Sequence, residues 1–235
     1  MNCALEVIVC SLEDAVQAVR GGATRLEIVR DLASGGLTPL GSLVEEILDT
    51  VRVPARVMLR ERDESGIAGR DELERLCSQA RRLAGLPLDG FVLGFMRAGR
   101  VDLESTSAIL GCAPAVRATF HHAFEEASSP IEAISDLKTL PQIDRILTHG
   151  GRGSWDERIR CLDEYRRLAQ PEIEVLAGGG LTLERVTSIR EKTQIREFHV
   201  GTGVRFPQHS SGQLVDNKVR EFAALLGCSA SLAGR

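Results

Sequence analysis

Residues 173–203, IEVLAGGGLTLERVTSIREKTQIREFHVGTG, show the unit from which this chain is built. A short apolar run at Ile173–Leu176 predicts a buried strand, and a helical pattern follows at Leu183–Glu191. A second apolar run at Arg196–Val200 predicts the next strand. Strand, helix and strand at this spacing favour a βαβ unit, in which a right-handed crossover joins two parallel strands.

The same alternation of strand and helix extends along the whole chain. Strand-like runs are predicted at Ala4–Val9, Arg25–Val29, Ala55–Leu59, Gly90–Gly94, Ala115–Phe120, Arg145–Thr148, Ile173–Leu176 and Arg196–Val200. Helices are predicted at Leu12–Arg20, Leu40–Thr50, Asp71–Leu83, Leu103–Leu110, Ile131–Leu140, Trp155–Leu168, Leu183–Glu191 and Leu214–Leu226. The chain has 235 residues, close to the ~250 typical of a barrel of this kind. This pattern predicts an α/β protein with the TIM-type (β/α)8 barrel fold.

An open, doubly wound sheet is the alternative arrangement of such units. That fold places a glycine-rich phosphate loop directly after its first strand. Here the first connection, Cys10–Glu13, contains no glycine, so the closed barrel is favoured. We predict a single barrel domain over residues 1–228, followed by a frayed C-terminal tail at 229–235 that consists mostly of small residues.

The composition argues against several classes of partner. A net charge of −4 offers no general attraction to nucleic acid or to anionic lipid, and an aromatic content of only 4% gives little surface for base stacking. No run reaches the roughly 18 apolar residues of a membrane span. Six cysteines occur without a Cys-x-x-Cys pair, which is typical of reduced thiols. We therefore expect a cytoplasmic protein that binds neither nucleic acid nor membrane.

Most of the predicted strands end on a charged residue, a histidine or a glycine cluster. These ends are Glu6, Glu27, Arg60, Gly94, His121, His149, Gly178–Gly180 and His199 with Gly201. A buried strand carries charge only where that charge has a partner or a function. Because the strands of a barrel end at one mouth, we expect these side chains to converge there on one site.

Three interpretations of the charged strand ends stay open. Glu6, Glu27 and His121 are candidate catalytic residues, because paired carboxylates and a histidine can act as acid and base. The two carboxylates could instead hold a cation. They could also form a structural ion-pair network with Arg60.

Glycines and arginines near the mouth predict an anion-binding site. The run Gly178-Gly179-Gly180 lets backbone N–H groups form a nest, and Thr182 can cap the helix that follows. The loops after strands seven and eight of a barrel often bind phosphate together. The candidate anion-binding residues are Arg60, Arg62, Gly178, Gly179, Gly180, His199, Gly201 and Arg205. The alternative is that these glycines only make tight turns.

Two further expectations concern the rim of the mouth. The long loops at 60–70 and 205–213 are candidate lids, since barrel mouths often carry such loops over their sites. His121 and His122 are adjacent, and successive strand residues point to opposite faces. We therefore expect only one of the two histidines to face the pore.

Several motifs together resemble the CutC family, named for copper homeostasis. The similarity is collinear from about Leu5 to Arg205, and it is carried by Leu5–Val7, Gly21–Glu27, Gly35–Pro39, Val57–Arg60, Thr119–Phe124, Arg145–Thr148, Gly178–Gly180 and Glu197–His199. The resemblance implies a TIM barrel, a cytoplasmic location, a homodimer and copper as the bound or trafficked ion.

The chain departs from the family pattern at the positions proposed to hold Cu(I). The family's cysteines there correspond to Ile8 and Val29, and Cys10 occupies a position that is usually Asp. Cu(I) prefers thiolate and thioether ligands. The candidate metal ligands are therefore Cys10, His121 and His199.

Two functions follow from the sequence, and it does not decide whether the chain is an enzyme. The first is a copper homeostasis protein that binds or traffics copper ions. The second is a barrel enzyme that acts on a small anionic substrate, phosphorylated molecules included, with Glu and His as acid–base residues. A scaffold that only presents its outer helices is a third alternative, but it leaves the polar mouth unexplained.

Overall fold

A computed structural model describes residues 3–228, so the predicted tail at 229–235 lies outside the described residues. In chain order the elements are β1 Ala4–Val9, α1 Leu12–Gly21, β2 Arg25–Ile28, α2 Gly41–Thr50, β3 Ala55–Met58, α3 Arg70–Leu83, β4 Gly90–Leu93, β5 Met96–Arg97, β6 Arg100–Val101, α4 Leu103–Gly111, β7 Ala118–Phe120, α5 Pro130–Lys138, β8 Ile143–Thr148, α6 Trp155–Ala169, β9 Glu174–Ala177, α7 Leu183–Lys192, β10 Glu197–Val200, β11 Arg205–Phe206, β12 Gln213–Leu214 and α8 Asp216–Leu226.

The long strands close into a parallel barrel in the order β1-β10-β9-β8-β7-β4-β3-β2. The predicted (β/α)8 fold is confirmed, and every predicted strand and helix is present with ends shifted by a few residues. The caps at Ser11 and Thr182 also form, since these hydroxyls accept hydrogen bonds from the N–H groups of Asp14 and Arg185. Local sequence signals thus set the repeating units from which the barrel closes.

Two short hairpins are additions to the predicted pattern. One pairs β5 with β6 directly after the fourth barrel strand, and the other pairs β11 with β12 after the eighth. Each strand has only two residues, too few for a periodic signal in the sequence. The second hairpin spans residues 205–214 and so contains the whole candidate lid at 205–213.

The barrel interior contains a chain of ion pairs. Between the strands and the outer helices lies an ordinary apolar core. Inside the barrel, side chains of alternating charge contact one another in the order Glu6, Arg25, Glu197, Arg145, Asp144, Arg56 and Asp89. Each charge in this chain of ion pairs therefore has a partner, which explains how such short strands tolerate so many charged residues.

Arg56 is the most extensively bonded member of this chain of ion pairs. Its side chain is only 1% exposed, and its two Nη atoms lie 2.7 Å and 2.8 Å from the carboxylate oxygens of Asp144. Nε lies 2.8 Å from Asp89, and Nη1 also donates to the Thr119 hydroxyl at 2.9 Å. This guanidinium joins strands β3, β7 and β8 across the barrel.

Among residues 3–228, no helix combines the length and the apolar character that crossing a membrane requires.

Candidate active site at the mouth of the barrel

A cavity of about 390 Å³ opens at the carboxyl ends of the strands. The predicted convergence of the strand ends is therefore seen, although only some of the candidate residues line the cavity. The polar residues that matter most for its chemistry are Glu27, Arg60, His121, His122 and His199. Asp63 and Ser65 from one predicted lid loop, and Gln208 from the other, also line it.

Glu6, Glu27 and His199 form a buried cluster at the base of the cavity. Nδ1 of His199 lies 2.9 Å from Oε1 of Glu6 and 3.4 Å from Oε2 of Glu27. The second oxygen of Glu6 accepts a hydrogen bond from Nε of Arg25 at 2.5 Å. Because Arg25 holds one side of Glu6 and His199 the other, Glu6 is sealed away from the cavity at 0% exposure.

The surroundings of the two carboxyls push their pKa values in opposite directions. Burial alone would raise the pKa of Glu6, but the charge of Arg25 and the contact with His199 hold it far below its usual range. Burial raises the pKa of Glu27 to about 7, because the nearby charge of His199 offsets only part of the effect of burial on this carboxyl. Burial would lower the pKa of His199, yet Glu27 and Glu6 raise it overall. Glu6 is thus a fixed carboxylate, while Glu27 can exchange a proton near neutral pH.

The hydrogen bonds of His121 fix its neutral tautomer. Nδ1 accepts a hydrogen bond from the Ala123 N–H at 3.0 Å, so the ring proton lies on Nε2. Burial and the charge of Arg60 lower the pKa of His121 to about 3. Nε2 is buried and has no partner within residues 3–228. His121 therefore presents a neutral N–H donor to the cavity.

Gly94 makes room for this histidine. A Cβ atom at Gly94 would lie 2.6 Å from Nδ1 of His121, closer than any real contact. The glycine at the end of the fourth strand therefore serves a close approach between side chain and backbone.

The expectation that only one of the adjacent histidines faces the pore is wrong. His121 and His122 both line the cavity, because the strand ends at Phe120 and a short 3₁₀ helix begins at His122. The alternation of side chains holds only within a strand. The ring of His122 lies 5.8 Å from that of His149, and burial lowers its pKa to about 3.

Arg60 reaches the cavity with an incomplete set of partners. Its Nη atoms donate to the carbonyls of Ser34 and Asp63, but its buried Nε has no acceptor in the described part of the chain. Burial lowers its pKa, as expected for a cation that lacks full compensation. The ion-pair network predicted between Arg60 and the two carboxylates does not form, since Arg25 is the partner of Glu6.

The other predicted arginines lie outside the cavity lining. Arg62 pairs with Glu72 and Glu64 at the base of its loop. Arg205 is buried against Asp14 at 2.6 Å and donates to the carbonyl of Gly212. These contacts give both guanidinium groups structural roles that hold the two long loops.

The glycine loops line the opposite wall of the cavity. Gly179 and Gly180 have φ angles of 76° and 75°, which glycine adopts without strain, and Gly201 and Thr202 follow from the eighth barrel strand. Gly178 is not part of the lining. A Cβ atom at Gly179 would lie 2.9 Å from Cβ of His149, so this loop is packed closely against its neighbour.

The carboxylate and imidazole donors at the mouth do not fit a Cu(I) site. Cys10 packs beside the apolar cluster of Ile8, Val29, Met58 and Val92, and burial raises the pKa of its thiol. Among the described residues, the only His, Cys, Asp and Glu donors within reach of one ion are Glu6, Glu27 and His199. Cys10, His121 and His199, the predicted ligands, do not form such a group. Two carboxylates and an imidazole suit harder ions than Cu(I).

Sequence reasoning missed Arg25 and Met58, and both belong to a detectable pattern. Arg25 lies two residues before Glu27, and Met58 lies two residues before Arg60, so each shares the strand face of a candidate residue. Arg25 fixes the charge of Glu6, and Met58 lines the cavity.

The fold and these side chains define a class: a (β/α)8 barrel with a buried cluster of two carboxyls and an imidazole at its carboxyl-terminal mouth. The CutC family model matches residues 3–204 of the chain. This chain belongs to the CutC family.

Individual relatives agree with this assignment. A human protein named copper homeostasis protein cutC homolog is 31% identical, with 96% of this chain and 81% of the relative covered. A family protein CutC from Xylella fastidiosa strain Temecula1 is 30% identical over 85% of this chain and 74% of its own length.

Solved structures support the same architecture. A CutC protein from Streptococcus agalactiae superposes with a TM-score of 0.78 at 26% identity, covering 85% of this chain and 98% of that one. A phosphoribosylanthranilate isomerase from Thermotoga maritima has a TM-score of 0.64 at 14% identity, covering 96% and 98%. The second likeness concerns the barrel fold alone.

Proposed function

We propose that this chain is an enzyme that transfers protons on a small anionic molecule held in the mouth of its barrel. One observation carries the proposal. Buried polar atoms of Glu27, Arg60, His121 and His122 lack a partner within residues 3–228, and all four side chains line one cavity. Leaving buried polar atoms unpaired costs about 1–3 kcal/mol each, so a ligand that pairs with them gains affinity.

The roles divide according to charge. Glu27 carries the proton, because a catalytic group works best when its pKa lies near the operating pH. Glu6 and Arg25 act as positioning residues that hold His199 beside Glu27. His121 donates a hydrogen bond from Nε2, and Arg60 faces the anionic group of the ligand.

The glycine loops supply the second part of the anion site. Gly179 and Gly180 lie in the chain just before α7, whose N-terminal helix dipole favours negative charge. We propose that Gly179, Gly180 and Gly201 bind the anion together with Arg60, and that His199 forms the floor beneath it. Phosphorylated molecules and carboxylates both have the required chemistry.

Replacing Arg60 with alanine is expected to weaken binding of inorganic phosphate and of 2-phosphoglycolate at least about tenfold, as loss of a charged hydrogen bond implies. Isothermal titration calorimetry measures the effect. Arg62→Ala is the matched control, because Arg62 lies in the same loop but pairs with Glu72. Equal binding by wild type and Arg60→Ala, or no binding by wild type, would contradict the proposed anion site.

Copper handling is the second candidate function, and the names of the human and mouse relatives favour it. In this role the chain binds or traffics copper ions. The family connects the chain with copper homeostasis, whereas the carboxylate and imidazole donors at the mouth do not fit a resident Cu(I) ion.

An anaerobic competition titration with Cu(I) is expected to show no tight one-to-one site on the metal-free protein. Cys10→Ala and His121→Ala are expected to leave the weak thiol background nearly unchanged, because neither residue belongs to a group of ligands. Stoichiometric binding that one of these substitutions abolishes would establish the copper role and would show that the substituted side chain is a ligand.

We further propose that the chain works in the cytoplasm as a homodimer. The family resemblance supports the dimer. The six cysteines, all within the described residues, carry free thiols, which is typical of a reducing compartment.

A further inference from the structure

We infer that the reaction is an enolisation: a substrate carbonyl oxygen binds Nε2 of His121 and Nε of Arg60, whose positive charge also attracts the anionic group, while Glu27 moves a proton on the neighbouring carbon. The inference deepens the proposed function and rests on it. The substrate class is a small molecule with a carbonyl group next to a C–H bond and an anionic group further along.

Two unpaired donors define the place of the oxygen. Nε2 of His121 and Nε of Arg60 each carry a hydrogen, each is buried, and neither has an acceptor among residues 3–228. The two side chains come from the ends of β3 and β7, on either side of β4, and both line the cavity. A pair of fixed donors of this kind stabilises the negative charge that develops on a carbonyl oxygen.

An unpaired acceptor defines the place of the proton. Oε2 of Glu27 is buried, lines the same cavity and has no hydrogen-bond partner in the described chain. At 3.4 Å from Nδ1 of His199, this oxygen is within ion-pair distance but makes no hydrogen bond, so it keeps its capacity to accept a proton.

The electrons and atoms of the step balance without a further reactant. The Glu27 carboxylate takes the proton, the C–H electron pair forms a carbon–carbon double bond, and the carbonyl π pair moves to oxygen. His121 and Arg60 hold the resulting oxyanion by hydrogen bonds. Glu27 then returns the proton to the same carbon, which restores the carbonyl group and regenerates the carboxylate.

Other reaction classes lack the groups that they need. The chain has lysines only at Lys138, Lys192 and Lys218, which lie in α5, α7 and α8 away from the cavity, so an imine with substrate is excluded. Hydrolysis by paired carboxyls requires both to reach the substrate. Glu6 does not reach the substrate, because Arg25 and His199 hold it at 0% exposure.

The test compares an enediolate mimic with a ground-state mimic that has the same anionic group. Phosphoglycolohydroxamate is expected to bind about 100-fold more tightly than phosphoglycolamide. This preference lies at the low end of the affinity gains that transition-state analogues show over substrates. His121→Ala is expected to reduce this preference to below about tenfold, because one of the two oxyanion donors is lost. His121→Asn is a second variant, whose side chain still accepts from the Ala123 N–H and so preserves the local turn.

The outcomes distinguish the enolisation from the anion site. If both compounds bind equally well, the enolisation inference is overturned while the anion site stands. If neither binds, the inference and the proposed function both fail. A preference for the hydroxamate that survives in both His121 variants would also overturn the assignment of the oxyanion donors.

Discussion

Replacing Arg56 with alanine is expected to lower the free energy of unfolding by about 3–5 kcal/mol, the usual cost of breaking a buried ion pair by removing one partner. The substitution leaves Asp144, Asp89 and the Thr119 hydroxyl without the guanidinium that joins them. It also opens a void inside the barrel, because Arg56 is among the largest fully buried side chains. Equilibrium urea unfolding followed by circular dichroism measures the loss.

Arg81→Ala is the control for this experiment. Arg81 lies exposed on α3, and its loss is expected to change stability by no more than about 0.5 kcal/mol. A loss below about 1 kcal/mol for Arg56→Ala would show that the interior ion pairs do not hold the barrel together.

The unfolding free energy of Glu27→Gln is expected to rise relative to that of wild type as the pH increases. The folded protein binds the Glu27 proton with a pKa of about 7, against 4.5 for the ordinary group. Wild type therefore loses stability as the pH rises from 4.5 towards 7, since the unfolded chain releases this proton and the folded chain keeps it. Glutamine carries no such proton. Between pH 4.5 and 6.5 the difference in unfolding free energy between variant and wild type is expected to shift by about 2 kcal/mol in favour of the variant.

Between pH 4.5 and 6.5, His199 contributes little to the pH dependence of the unfolding free energy. Its pKa is raised in the folded protein, so it stays protonated in both states below its ordinary value of 6.5. Glu45→Gln, an exposed substitution on α2, is expected to show no comparable shift. A constant difference between Glu27→Gln and wild type over this range would mean that Glu27 ionises at its ordinary pKa.

Much of the fold was predictable because local signals agree with the final structure. Apolar runs marked each barrel strand, and Ser11 and Thr182 marked helix starts through their side-chain caps. The position of Glu27, Arg60, His121 and His199 at the mouth of the barrel was predictable, because a charged or imidazole side chain at the end of a buried strand has few structural explanations.

The pairing of charges was not predictable, because it depends on strand register. Glu6 lies directly opposite Arg25 on β2 and opposite His199 on β10, residues far away in the sequence. A shift of one residue in either pairing would have given Glu6 different neighbours. Arg205 similarly forms an ion pair with Asp14 of α1, and no residue near Arg205 in the sequence predicts this contact.

The acid–base role of Glu27 is tested by an NMR titration of its side-chain carboxyl in protein with ¹³C-labelled glutamate, with Glu27→Gln to assign the resonance. The expected result is a titration with a pKa of about 7, while Glu6 shows no protonation down to the acid limit of the fold. A Glu27 resonance that titrates near its ordinary value of 4.5 would contradict the proposed function, because no acid–base group would then operate at the mouth near neutral pH.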